Sequence, residues 1–150
     1  MKQIIVAVIV SLSGIPALAG EDGIIKIRAD AQVGETMDRL EAAVTNAGAT
    51  IFARVDHAEG AQSVDMSLDP AELLVFGNPQ LGTPAMQDDP LAGLYLPLRV
   101  LVYQDPDGQV WLAYDDPEVM FDDLSIPDNA DYIGRMLEAL TNLTGAAANE

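Results

Sequence analysis

Residues 72–115 read ELLVFGNPQLGTPAMQDDPLAGLYLPLRVLVYQDPDGQVWLAYD. The stretch parses as strand, Gly/Pro-rich excursion, strand, tight turn, strand. The first strand, Leu73 to Gly77, is opened by Pro70 and closed by Asn78-Pro79, because proline cannot donate to a ladder and asparagine tolerates turn geometry. Leu98 to Gln104 and Gln109 to Asp115 form a hairpin. Asp105-Pro106-Asp107-Gly108 between them fits a type I turn, with proline second and glycine fourth. Inside the excursion, Gly82 to Gln87 reads as a short helix with Thr83 as its cap and Pro84 at its first helical position.

Working upstream, Thr50 to Asp56 (TIFARVD) reads as a strand, and Asp56 to Ala61 as a turn or one short helical turn. Val33 to Ala47 reads as a helix, since Met37, Leu40, Val44 and Ala47 recur at helical spacing and Gly48 stops it. Gly23 to Asp30 (GIIKIRAD) alternates as a strand, Ile25, Ile27 and Ala29 against Lys26 and Arg28. Downstream, Asp116 to Pro127 is an irregular acidic link. Asn129 to Leu143 follows as a helix with a stripe of Ile133, Met136, Leu137, Leu140 and Leu143. Gly145 and the AAANE ending read as frayed. The order is β-α-β-β-β-β-α, an α+β domain with one sheet and two main helices.

Residues 76–117, FGNPQLGTPAMQDDPLAGLYLPLRVLVYQDPDGQVWLAYDDP, closely resemble the signature of the domain-of-unknown-function family 302. The resemblance implies a fold similar to the TATA-binding-protein-like arrangement, a curved antiparallel sheet gripping helices. It implies no activity, since the family has none established, and it implies a dimer. DNA-binding proteins of that fold use a basic concave face, and the charge here is opposite, so that role does not follow.

The first residues stand apart. Met1-Lys2-Gln3 is a basic start, Ile4 to Leu12 an apolar run, and Ala17-Leu18-Ala19 an A-x-A cleavage site. A transmembrane helix needs about 20 apolar residues, and this run is much shorter. Residues 1–19 are therefore expected to be a signal peptide. The mature chain would begin at Gly20 as a single domain over 20–150 (core about 23–145), periplasmic or secreted and off the membrane. With no cysteine, disulfides and thiolate metal sites are excluded, and packing alone must hold the fold.

Net charge is −17, and loss of Lys2 with the leader lowers it by one more unit. Such a surface repels phosphate backbones and anionic lipid, so nucleic acid and membrane-surface partners are disfavoured. The acids are scattered, which reads as a solvating surface.

Candidate chemistry is sparse. His57 is the lone histidine, and it suits a general base or a metal ligand, or simply a turn residue. Its segment, VDHAEGA, resembles a family segment carrying histidine at this place. No serine sits in a nucleophile elbow. Asp56 and His57 are neighbours in sequence, which does not make a dyad. Met66, Met86 and Met120 lack copper-binding spacing and read as core filler, so no metal site is assigned. Around the excursion, helix-start amides with Asn78, Thr83 and Gln87 could hold a carboxylate or phosphate, or merely turn the chain. Arg99 begins an otherwise apolar strand and needs a bound anion or a carboxylate such as Asp115 or Asp116.

Three readings follow. The first is a non-enzymatic domain binding a small ligand or partner beside the 78–87 loop through His57, Asn78, Thr83, Gln87 and Arg99. The second is a hydrolase or isomerase with His57 as general base. The third is a structural homodimer module, because the central strands are apolar on both faces while two helices can cover only one.

Overall fold

The computed structural model describes Leu18–Ala19 and residues 23–149. The expected signal peptide and the Gly20 start lie outside the described residues, apart from Leu18–Ala19. The strands are β1 (Leu18–Ala19), β2 (Ile24–Arg28), β3 (Thr50–Asp56), β4 (Ala71–Gly77), β5 (Leu98–Gln104) and β6 (Val110–Asp115). The helices are α1 (Val33–Asn46), α2 (His57–Gln62), α3 (Pro79–Asp88) and α4 (Asp131–Ala148), with a 3-10 turn at Pro90–Leu94.

The strands form one sheet in the order β1-β2-β6-β5-β4-β3, and every described pairing is antiparallel. The expected α+β architecture is the one the chain adopts. The hairpin is in register, Tyr103 opposite Trp111 and Leu101 opposite Ala113. Gly108 in its turn has φ +83°, a conformation that favours glycine.

Alternation places Leu74, Phe76, Val100, Val102 and Leu112 on one face, all 2 % exposed or less. Helix α1 buries Val33, Met37, Leu40 and Val44 against that face, and Gly48 (φ +76°) ends the turn after it. Helix α4 packs beside α1 with Ile133, Met136, Leu140 and Leu143. The stretch from Gly145 to Ala148 is not frayed as expected: α4 continues to Ala148, and Ala147 and Ala148 are fully buried. Small side chains there fit a close approach to the sheet, where the Ala148 carbonyl accepts from the Asp30 amide.

The other face carries Leu73, Val75, Leu101, Tyr103 and Trp111, which are half-buried. The Asp116–Pro127 link does not cover it. Phe121 and Ile126 enter the main core instead, and Phe121 meets Tyr95 edge-on at 5.8 Å between ring centroids. Strand β3 closes one side of the sheet and is exposed along most of its length. Its register shifts between Ile51 and Ala53, so Phe52 is an extra residue in the ladder.

The excursion differs from expectation. Asn78, not Thr83, caps the helix, its Oδ1 accepting from the Gln80 amide at 2.9 Å. Pro79 takes the first helical position and Pro84 lies inside. The same cap chemistry is satisfied five residues earlier, because β4 runs to Gly77 and leaves no room for a loop.

Candidate functional site

A cavity of about 250 Å3 opens where β3, β4 and β5 meet at one end of the sheet. Its position follows from the excursion. Strand β4 ends at Gly77, α3 turns over that end, and the chain returns through the 3-10 turn and the cis Leu96–Pro97 bond into Leu98. Leu98 and the fully buried Met136 of α4 close the base, while Phe52, Thr83 and Met86 stand exposed at the rim. Leu81, Leu96 and Pro97 complete the apolar wall, and Gly77, Gly82 and Gly93 supply bare backbone. Among the lining side chains only those of Asn78 and Thr83 carry polar atoms beyond the thioethers.

The wall is anchored from outside. The Tyr132 hydroxyl donates to Asp88 Oδ2 at 2.8 Å, tying the end of α3 to α4. Burial, and then that carboxylate, push the phenol's pKa up to about 12. The adjacent Asp89 carboxylate accepts from the amides of Ser125 (3.0 Å) and Leu91 (2.9 Å). Those two bonds hold its pKa below the usual carboxylate range.

Of the five residues expected to share a site, Asn78 and Thr83 come together in the lining. Gln87 is exposed near the end of α3 and outside it. His57 begins α2, beyond the far end of β3. Because β3 and β4 are antiparallel, His57 and Asn78 lie at opposite ends of a seven-residue strand, about 20 Å apart. Arg99 reaches Asp115 at 3.4 Å on the open face, the carboxylate partner its position called for. Gly82-Thr83-Pro84, one of the two candidate places for exposed helix-start amides, lies within α3, and the Gly82 amide already bonds to the Asn78 carbonyl.

Sequence reasoning missed Phe52, Leu81, Leu96 and Met136. One signal was available: three glycines between Gly77 and Gly93, more than the turns require. Among the described residues no group of three or more His, Cys, Asp or Glu side chains could hold a metal ion.

The arrangement can hold a small, mostly apolar molecule with one hydrogen-bonding group. It brings together no nucleophile and base. The lining carries no charge.

Comparison with known proteins adds the following. Over 97 residues, 65% of this chain, it is 42% identical to the fluoride-specific ion channel FluC 1 of Brucella suis biovar 1. It is equally similar to the fluoride-specific ion channel FluC 2 of Brucella melitensis biotype 1. The match spans 38% and 36% of those relatives, so the chain covers little more than a third of their length. A crystal structure of an uncharacterized conserved DUF302 protein from Bacillus stearothermophilus has the same fold. Its TM-score is 0.75 at 19% identity, covering 83% of this chain and 98% of that one. Residues 25–144 match the family described as Domain of unknown function DUF302, and the chain belongs to that family.

Proposed function

We propose that this domain is a non-enzymatic binding module that takes a small, largely apolar molecule into the cavity beside α3. The observation that carries the reading is the lining, in which apolar side chains and bare glycine backbone surround only two polar side chains, with Met136 at the base. Pockets of this composition bind by apolar contact and orient their ligand with few polar groups. The test uses protein labelled with 13C at the methionine methyls and titrated with small neutral apolar compounds. Saturable shifts of Met86 and Met136, without change at Met66, are expected. Methyls that stay unmoved by every compound would overturn the reading.

His57 as a general base has less support. It is exposed, and among the described residues no side-chain hydrogen bond orients it. The binding reading expects His57→Ala to leave ligand uptake unchanged.

The module works as a homodimer paired through the half-buried face of Leu73, Val75, Leu101, Tyr103 and Trp111. It acts outside the cytoplasm, in a periplasm or beyond, after removal of residues 1–19, and away from nucleic acid and membrane. Support for export comes from the sequence of the leader. Intact mass of the extracytoplasmic protein should correspond to a chain starting at Gly20, and a mass retaining Met1 would overturn it.

The named relatives suggest a second reading of the same module. The matched stretch is a minor part of those channels, and no helix among the described residues is long and apolar enough to cross a membrane. On this reading the shared stretch has a role other than forming the conducting path. Liposomes loaded with fluoride should hold it when this protein alone is added. Release would overturn the assignment.

A further inference from the structure

The cavity wall contains Gly77, Gly82 and Gly93. None of the three has the positive φ that favours glycine, in contrast to Gly23, Gly48 and Gly108. Backbone conformation therefore does not demand glycine at the wall. Gly82 lies inside α3, where glycine is a poor helix former.

What the glycines supply is room. A Cβ at Gly77 would stand 3.4 Å from Pro97 Cβ and 3.7 Å from Phe52 Cε2. At Gly82 it would stand 3.5 Å from Leu96 Cδ1. Both are ordinary contacts, so a methyl group would fit and would occupy cavity space. At Gly93 a Cβ would come to 3.2 Å from Met86 Cε and displace the thioether at the rim.

Volume and chemistry narrow the occupant. An apolar cavity of about 150 Å3 takes benzene, and 250 Å3 leaves room for a ring with a short substituent. Phe52 and two methionines, Met86 and Met136, border the space, and thioether sulfur makes favourable contacts with aromatic rings. No charged side chain lines it, so neither a carboxylate nor an ammonium would find a partner for its charge. The chain's −17 charge further repels anions. Asn78 already uses its Oδ1 on the Gln80 amide, which leaves its Nδ2 hydrogens to donate. The Thr83 hydroxyl can donate or accept.

Resting on the reading of this cavity as a binding site, we propose that its ligand is a neutral monocyclic aromatic molecule bearing one hydroxyl group, and that the three wall glycines set its size limit.

The experiment titrates full-length protein with p-cresol, cyclohexanol and 4-methylbenzoate, following the 13C methyl signals of Met86 and Met136. p-Cresol should shift both saturably, cyclohexanol should bind more weakly, and 4-methylbenzoate should leave both in place. Gly82→Ala should raise the melting temperature through helix propensity while weakening p-cresol about tenfold, the scale of one misplaced methyl group in an apolar pocket. Those opposite movements separate a lost cavity from a damaged fold. Cyclohexanol binding as tightly as p-cresol would overturn the aromatic assignment and leave the binding site standing. Unchanged p-cresol affinity in Gly82→Ala would overturn the size limit. No binding by any of the three, or by a wider set of neutral apolar compounds, would overturn the site itself.

Discussion

The Tyr132 hydroxyl and the Asp88 carboxylate are joined at 2.8 Å across the junction of α4 and α3. This bond fixes one wall of the cavity to the helix that forms its floor. Tyr132 is 8 % exposed, so its ring is part of the core while its oxygen serves the wall.

Tyr132→Phe should therefore keep the packing and lose only the bond, at a cost of about 1 kcal/mol. Burial of the phenol, with the bond, also gives an alkaline signature. The folded phenol has its pKa raised to about 12, against about 10 unfolded. Its contribution is complete below pH ~10 and declines as pH rises through the folded value. Wild type should lose stability across that window, and Tyr132→Phe should lose less, as read by denaturant midpoints.

The hairpin turn has its own centre in Asp105. Its Oδ2 accepts from the Trp111 indole at 2.8 Å, and its Oδ1 from the amides of Gln109 (2.8 Å) and Asp107 (3.0 Å). The indole first, then the Gln109 amide, lower its pKa. A lowered folded value gives stability that is present above the unfolded pKa of about 3.9 and is lost as pH falls through the folded one. Asp105→Asn should reduce the urea midpoint at pH 7, and the difference should shrink under strong acid. Trp111 fluorescence reports both.

Arg54 sits on the outer strand among three carboxylates, Asp38 and Glu41 of α1 and Glu72 of β4. Those hydrogen bonds, Glu72 foremost, raise its pKa further above the usual arginine value. Arg54→Met should cost about 1–2 kcal/mol, since three acids are left without a cation and the site is partly solvated. Added salt should recover part of the loss, as measured by thermal unfolding.

Arg99 and Asp115 meet at 3.4 Å with side chains 43% and 49% exposed. A pair this open contributes less than about 1 kcal/mol. Arg99→Met should leave stability within that bound and ligand uptake unchanged, because Arg99 is outside the cavity lining. A ligand effect would bring Arg99 back into the site.

Assembly has a sharper test. Leu101 lies between Leu73 and Ala113 at the middle of the half-buried face. Wild type should sediment as a dimer at low micromolar concentration, and Leu101→Arg should sediment as a monomer with retained helical circular dichroism. A monomeric wild type would remove the pairing.

Much of the fold was legible because its elements are locally consistent. Met37, Leu40 and Val44 announce α1 by spacing, and Pro106 and Gly108 announce the hairpin turn. The start of α3 was misread because two Pro-containing segments, Asn78-Pro79 and Thr83-Pro84, offer equivalent caps. Only the end of β4 chooses between them. The end of α4 was misread because alanines carry no stripe, and their burial depends on where the sheet lies. The site was less legible still. Asn78 and Thr83 share one loop-and-helix segment, so sequence proximity found them. Phe52 and Met136 arrive from distant elements, and only the antiparallel order of β3 and β4 shows that His57 belongs to the other end.

The extra residue at Phe52 also limits what this molecule can become when crowded. A strand from another copy aligning along β3 would find regular pairing only from Ala53 to Asp56, four residues before the kink. Once residues 1–19 are removed, as proposed, the opposite margin of the sheet is β2, only five residues long. Neither margin offers the long, even row of amides on which fibrils grow. In the proposed dimer the flat of the sheet is used instead, and two copies related by a twofold axis would close on each other and leave nothing for a third to extend.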